Sequence, residues 1–225
     1  MLIVIEGLDG AGKSTQVKKL KEYIVEKGYD LEYLHFPRYE APVYGDLIGE
    51  FLRGGFGDLN QVHPKLVALL YALDRQDAAA SLRKALKAGK TVLLDRYEYS
   101  NIAYQCAKLP DAEQAEALRK WIIDTEFGQF GEPRPDINIF LDVPLCFVKE
   151  SLSREREGAD RDYLQQNKDI HEADIEFQKR VRDFYRLQAS EDPTLLVVDC
   201  SDEFGEMLSP DDIFAKIKAL VDERL

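Results

Sequence analysis

Ile3-Val4-Ile5-Glu6-Gly7-Leu8-Asp9-Gly10-Ala11-Gly12-Lys13-Ser14-Thr15 carries the most specific pattern in the chain. A short apolar run leads into a glycine turn, and Lys-Ser then opens a helix. Gly7, Gly12, Lys13 and Ser14 fit the phosphate-loop spacing of Gly, four residues, Gly-Lys-Ser/Thr. Glycines allow positive φ and close backbone approach, so successive N–H groups can face one anion-sized hollow. The helix N-terminus behind them adds partial positive charge. In such a loop Gly7 through Thr15 cradle a nucleoside triphosphate, Lys13 reaches its β- and γ-phosphates, and the Ser14 hydroxyl ligates Mg²⁺.

The 225 residues are enough for one domain with a sizeable core. A net charge of −12 argues against nucleic acid as a partner, and no apolar run approaches membrane-spanning length. Any anionic substrate then needs a local gathering of Arg and Lys. Cys106, Cys146 and Cys200 are odd in number and far apart, which favours free thiols over disulfides or a zinc site. We expect no signal or transit peptide and a cytoplasmic location.

Working outward from the loop, the helix from Lys13 carries Val17, Leu20, Ile24 and Val25 at helical spacing, with Gly28 at its stop. Strands are expected at Leu2 to Glu6, Leu31 to Phe36, Thr91 to Asp95, Ile137 to Asp142 and Leu195 to Asp199. Helices are expected at Tyr44 to Leu52, Pro64 to Ala88, Ala112 to Phe127, from Pro144, Asp174 to Ala189, and Pro210 to Arg224. In the long one, Leu66, Leu69, Leu70 and Leu73 form the expected apolar stripe, while Tyr71 and Arg75, four apart, share another face. Strands separated by helices imply a parallel sheet with right-handed crossovers. Ligands in such sheets sit at the strands' carboxyl ends, so the loops after Glu6, Phe36, Asp95, Asp142 and Asp199 should surround one crevice.

The strand closing on Asp95 reads as a Walker B-like element whose acid holds Mg²⁺ or its water shell; a helix-capping role is the alternative. Arg96 follows directly and points across the same crevice. A second constellation, Arg154, Arg156 and Arg161 around Gly158, suits the spread charge of a transferring phosphoryl group. Four interleaved acids leave a solvated, salt-bridged helix end as the other reading. His35, His63 and His171 are scattered without ligand spacing, and no serine sits in a nucleophile elbow. Asn167-Lys168-Asp169-Ile170 lacks the final acid of a guanine-reading motif, and there is no His-Arg-Asp kinase loop. Small size with an Arg-rich lid favours a kinase of small nucleotides.

Leu70-Tyr71-Ala72-Leu73-Asp74-Arg75, Asp95-Arg96-Tyr97 with Ser100 and Tyr104, and Arg134-Pro135-Asp136 leading into Phe140-Leu141-Asp142 join the phosphate loop in a wider pattern. With them the chain resembles the thymidylate kinase (dTMP kinase) family over nearly its whole length. The resemblance implies an α/β, P-loop NTPase-like three-layer fold with a five-stranded parallel sheet. It implies one nucleoside monophosphate kinase domain over residues 1–225, with a small Arg-containing lid at about 151–170. The implied reaction transfers the γ-phosphate of ATP to dTMP, giving ADP and dTDP on the way to dTTP, with Mg²⁺ as cofactor and a homodimer as the assembly.

By the same resemblance, Asp9 contacts the acceptor's 3′-hydroxyl, Tyr71 stacks on thymine and Arg75 reaches a base carbonyl. Arg38 and Arg96 grip the acceptor phosphate, Tyr104 crowds out a 2′-hydroxyl, and Phe36 and Ser100 complete the acceptor site. A plain core tyrosine is the other reading of Tyr104. Family members carry their catalytic cation either inside the phosphate loop or in the lid. Gly10 with an Arg-rich lid resembles the second, bacterial type, which assigns catalysis to Lys13, Arg96, Arg154, Arg156 and Arg161. Asn101 and Cys106 depart from the small residues common at those positions, and the pattern gives His171 and Gln178 no role. A kinase for another deoxynucleotide or deoxynucleoside, or a non-catalytic nucleotide-binding module, are the competing functions.

Overall fold

A computed structural model describes residues 1–58, 61–153, 171–172 and 174–225. Arg154, Arg156 and Arg161, with most of the expected lid, lie outside the described residues.

Five parallel strands form one sheet: β1 Leu2–Gly7, β2 Leu31–His35, β3 Thr91–Asp95, β4 Ile137–Asp142 and β5 Leu195–Asp199, in the order β2-β3-β1-β4-β5. β1 is central because every residue in it is buried on both faces, the pattern a parallel strand between helical layers requires. Ile3 and Ile5 pack into one apolar cluster with Ile137 and Ile139, while Leu2 and Val4 pack into another with Ala78, Leu82 and Ala85. Register pairs Ile5 with Asp95 and Gly7 with Leu141, so the phosphate loop leaves the sheet beside the end of β3.

The helices are α1 Lys13–Glu26, α2 Tyr44–Leu52, α3 Pro64–Lys87, α4 Glu98–Cys106, α5 Ala112–Ile123, α6 Leu145–Ser153, α7 Ile175–Glu191 and α8 Pro210–Asp222. Three differ from the sequence expectation. α4 was not anticipated: all nine of its residues are buried, so it has no polar face from which a helical period could be read. The helix begun at Ala112 ends at Ile123 and gives way to a π-helical turn, Asp124–Gln129, which aims Glu126 inward. On α3 the leucine stripe is not the core face. Leu66 is 63% exposed and Leu69, Leu70 and Leu73 are half-buried, while Val67, Ala68, Ala72, Ala78, Ala79 and Leu82 face inward. Small side chains let α3 lie close against its neighbours; counting hydrophobicity alone favours the wrong stripe.

The loop between β2 and α2 crosses the first turn of α2 at Gly45, with Gly45 N–H donating to the Ala41 carbonyl at 2.9 Å. A Cβ there would stand 2.3 Å from the Tyr39 carbonyl oxygen and 2.5 Å from that of Arg38, both backbone atoms. Gly45→Ala is therefore expected to lower stability by about 1–3 kcal/mol, read from the urea midpoint, by forcing the loop off the helix. A wild-type midpoint would show that the loop is not held this tightly.

Candidate active site

Two of the phosphate-loop glycines have the backbone the motif anticipates: Gly10 at φ 74° and Gly12 at φ 75°, the latter capping α1. The Lys13 ammonium folds back onto the carbonyls of Gly7 (3.3 Å) and Leu8 (2.8 Å). Burial, and after it the Arg96 charge, bring Lys13 down to about 8. Gly10 has a further constraint. A Cβ on it would come within 2.9 Å of Ser151 Oγ, because the end of α6 rests on the loop.

Arg96 occupies the turn between β3 and α4 with φ 67°, a conformation that costs a non-glycine residue on the order of 1 kcal/mol. Its guanidinium contacts Asp9 Oδ1 (2.6 Å), the Gly7 carbonyl (2.8 Å) and Ser100 Oγ (3.1 Å). Burial alone would raise Asp9, but the charges of Arg96 and Lys13 hold it at about 2, so it is a carboxylate at any working pH. The other oxygen of Asp9 accepts from Tyr104 Oη (2.8 Å) and Gln178 Nε2 (3.2 Å). Beneath them Glu6, at the end of β1, accepts from the Tyr97 amide (2.9 Å), Ser100 Oγ (2.5 Å) and Tyr185 Oη (2.9 Å). Burial raises Glu6 above its ordinary value in spite of these donors.

A cavity of about 70 Å³ opens between the loop, the β2–α2 connection, α3 and α4. Asp9, Phe36, Tyr71, Arg75, Arg96, Ser100 and Tyr104 all border it, seven side chains that the sequence pattern had grouped as acceptor-binding. Arg38 does not. It is tied to Asp74 (Nε to Oδ1, 2.9 Å) and Asp77 (2.7 Å), and it faces a neighbouring groove bordered by Ser14 and Asp95. Among the described residues, neither of these two spaces is bordered by a side chain from the ends of β4 or β5. Asp142, at the end of β4, is engaged by Arg182 and Arg186 of α7.

Four further residues meet the site with little warning in the sequence. His171 borders the cavity with its ring stacked on Phe177 (5.6 Å) and tilted against Tyr104 (5.3 Å). Burial, with Lys108 nearby, pushes it well below the usual histidine value, so it is a neutral wall. Gln178 reaches Asp9 from α7, and Glu126 grips Arg75. Asn101 borders the cavity, whereas Cys106 turns away from it, its thiol donating to the Ala115 carbonyl at 3.3 Å.

The residues assigned to Mg²⁺ suit it. Ser14 and Asp95 border one groove, and Asp95 Oδ1 is buried with no hydrogen-bond partner among the described residues. No group of three His, Cys, Asp or Glu able to hold a metal occurs among the described residues. One hydroxyl and one acid are enough where phosphate oxygens supply further ligands.

The thymidylate kinase family model matches residues 5–209. The chain belongs to the thymidylate kinase family. A probable thymidylate kinase of Thermococcus onnurineus is 37% identical over all of this chain and 98% of that protein. The thymidylate kinase of Mycobacterium tuberculosis is 38% identical over 82% of this chain and 84% of its own length. The structure of thymidylate kinase from Candida albicans aligns with a TM-score of 0.74 at 25% identity, covering 99% of this chain and 91% of that one. The member described here is an ATP-dependent nucleoside monophosphate kinase that phosphorylates dTMP, and the fold is that of P-loop NTPases. The competing functions, another acceptor or a module without activity, are not favoured by these relationships.

Beside Arg75, Glu132 is pushed up to about 9, first by burial and then by the adjacent Glu126 carboxylate, against the pull of Arg75. Its value in the unfolded chain is near 4.5, so the folded protein keeps a proton that the unfolded chain releases. The associated stability is complete below about pH 4.5 and is lost as pH rises toward 9, by up to about 1.4 kcal/mol per unit. Glu132→Gln stays neutral, so its urea-unfolding free energy should gain at least about 1 kcal/mol over wild type between about pH 5.5 and about pH 8.5. Parallel pH profiles for the two proteins would show that Glu132 is ionised in the fold.

Proposed function

We propose that dTMP enters the cavity with thymine against Tyr71 and Arg75, its sugar against Asp9 and Tyr104, and its phosphate toward Arg96. ATP then lies along the phosphate loop from Gly7 to Thr15. The observation that carries this reading is the convergence of Asp9, Phe36, Tyr71, Arg75, Arg96, Ser100 and Tyr104 on one cavity beside that loop.

The acceptor is a phosphate monoester with a second pKa of about 6, largely a dianion at neutral pH, so no strong general base is needed. What remains is alignment and charge neutralisation. Lys13 leaves the carbonyls of Gly7 and Leu8 for the β- and γ-phosphates. Ser14 and Asp95 would hold Mg²⁺, which when bound neutralises charge on those phosphates. Arg96 exchanges part of its contact with Asp9 for the acceptor phosphate, and the freed carboxylate oxygen receives the 3′-hydroxyl. Arg38, fastened by Asp74 and Asp77, approaches the phosphate from the groove side.

Arg154, Arg156 and Arg161 cover the transferring group and exclude water. Support for a lid-borne cation comes from Gly10: its positive φ strains any other residue, and a Cβ there would stand 2.9 Å from Ser151 Oγ and 3.1 Å from Ser151 Cβ. The arginines follow in sequence directly after that helix end. For the assembly we propose a homodimer, supported by the leucine stripe of α3, which leaves Leu66 on the outside of the single chain. The cytoplasm is the proposed location; no helix among the described residues is long and apolar enough to cross a membrane.

Steady-state kinetics over a panel of nucleoside monophosphate acceptors tests the reading as a whole. Tyr71→Ala should raise the dTMP KM by roughly tenfold, the scale of a lost base–aromatic stack; an unchanged KM means the base is not stacked there. Arg156→Ala should lower kcat by about tenfold or more while dTMP KM stays near wild type. Wild-type turnover in that variant would remove the lid from the mechanism.

A further inference from the structure

Glu126 stands on the π-helical turn after α5 and has no solvent exposure. Its carboxylate takes Arg75 Nε on Oε2 at 2.6 Å and Arg75 Nη2 on Oε1 at 2.7 Å. The same Oε1 accepts Asn101 Nδ2 at 2.9 Å, and that nitrogen also donates to the Ala68 carbonyl at 3.0 Å. A carboxylate and a carbonyl have lone pairs and no proton, so both neighbours of the Asn101 amide demand donors. The amide then has one satisfactory orientation, with its NH₂ toward Glu126 and Ala68. Asn101 Oδ1 is left buried with no hydrogen-bond partner among the described residues. Arg75 and Asn101 both border the acceptor cavity. Arg75 can only donate there; Asn101, held this way, can offer only its carbonyl oxygen.

We propose that Glu126 is a positioning residue for acceptor selectivity, setting Arg75 as donor and Asn101 as acceptor side by side on one carboxylate. The inference rests on the reading that the base enters this cavity. A donor beside an acceptor is complementary to a lactam edge, a carbonyl next to a ring N–H, as on thymine or uracil. Cytosine offers an amino group and an unprotonated ring nitrogen at those two places, so each would face a group of its own kind. Unpaired polar groups in a buried site are what separate close analogues by large factors. The device sorts bases by hydrogen-bond polarity and is blind to the 5-methyl group.

Glu126→Gln keeps the shape but introduces an NH₂, which allows the Asn101 amide to turn over and present its nitrogen instead. Kinetics with dTMP and dCMP as acceptors test this. For Glu126→Gln we expect the dTMP KM to rise about tenfold, kcat to stay within about threefold, and the dTMP-over-dCMP ratio of kcat/KM to fall at least about tenfold. Glu126→Asp, still an acceptor only, should retain most of the preference. A merely structural role would depress both acceptors together and leave the ratio alone; that result in a folded Glu126→Gln protein overturns the proposal. If Glu126→Gln does not fold, Asn101→Ala decides: a comparable loss of preference supports the proposal and a wild-type ratio overturns it. The underlying reading is separable through Tyr71→Ala. A raised dTMP KM there with an unchanged ratio in Glu126→Gln refutes the positioning role alone. An unchanged KM in Tyr71→Ala removes the base from the cavity and both ideas with it.

Discussion

A carboxylate with no solvent exposure sits at the end of the central strand, and the site is arranged around keeping it there. Taking an ionised carboxylate out of water costs several kcal/mol unless donors replace the lost hydration. Glu6 receives the Tyr97 amide, the Ser100 hydroxyl and the Tyr185 hydroxyl, from the start of α4 and from α7. One side chain thus ties the strand that feeds the phosphate loop to α4, which borders the cavity, and to α7. The turn between β3 and α4 must accommodate that attachment, and Arg96 occupies it with a positive φ. Ser100 and Tyr104 then follow at successive helical turns, facing Asp9 and Arg96.

The arginines around the cavity and its neighbouring groove are each held by acids. Arg96 pairs with Asp9, Arg38 with Asp74 and Asp77, and Arg75 with Glu126. Such pairs contribute little net stability, since burying both charges offsets most of their attraction. Their value here is geometric: a flexible cation is fixed where an anionic or carbonyl-bearing ligand can meet it without ordering it at the moment of binding. This resolves an apparent conflict in composition, a chain of net charge −12 that handles two phosphorylated substrates. Part of the acidic excess serves to aim the basic side chains.

Legibility from sequence followed how local each constraint is. The phosphate loop and the five strands could be read because glycine spacing and apolar runs act over a few residues. Phe36, Tyr71, Arg75 and Tyr104 could be assigned only as a set, through family resemblance; taken singly, each passes for a core residue. α4 escaped because a helix buried on every side has no period to detect. The leucine stripe of α3 was no guide to its core face, which is built largely from alanine with Val67 and Leu82. Glu126 gave no signal: the π-helical turn that aims it is a departure from the helix that its surroundings suggest.

Residue identity and periodicity along the chain were enough to read a parallel α/β phosphate-loop kinase with a glycine at position 10 and with Arg154, Arg156 and Arg161 after position 153. Those properties follow from backbone freedom, apolar periodicity and residue identity, all carried along the chain. Which carboxylate meets which donor came from the fold alone: Glu126 with Arg75 across 51 positions, Asp9 with Arg96 across 87, Glu6 with Tyr185 across 179. Hydrogen bonds and charge pairs act over a few ångströms of space, and it is the fold that turns such sequence separations into contact.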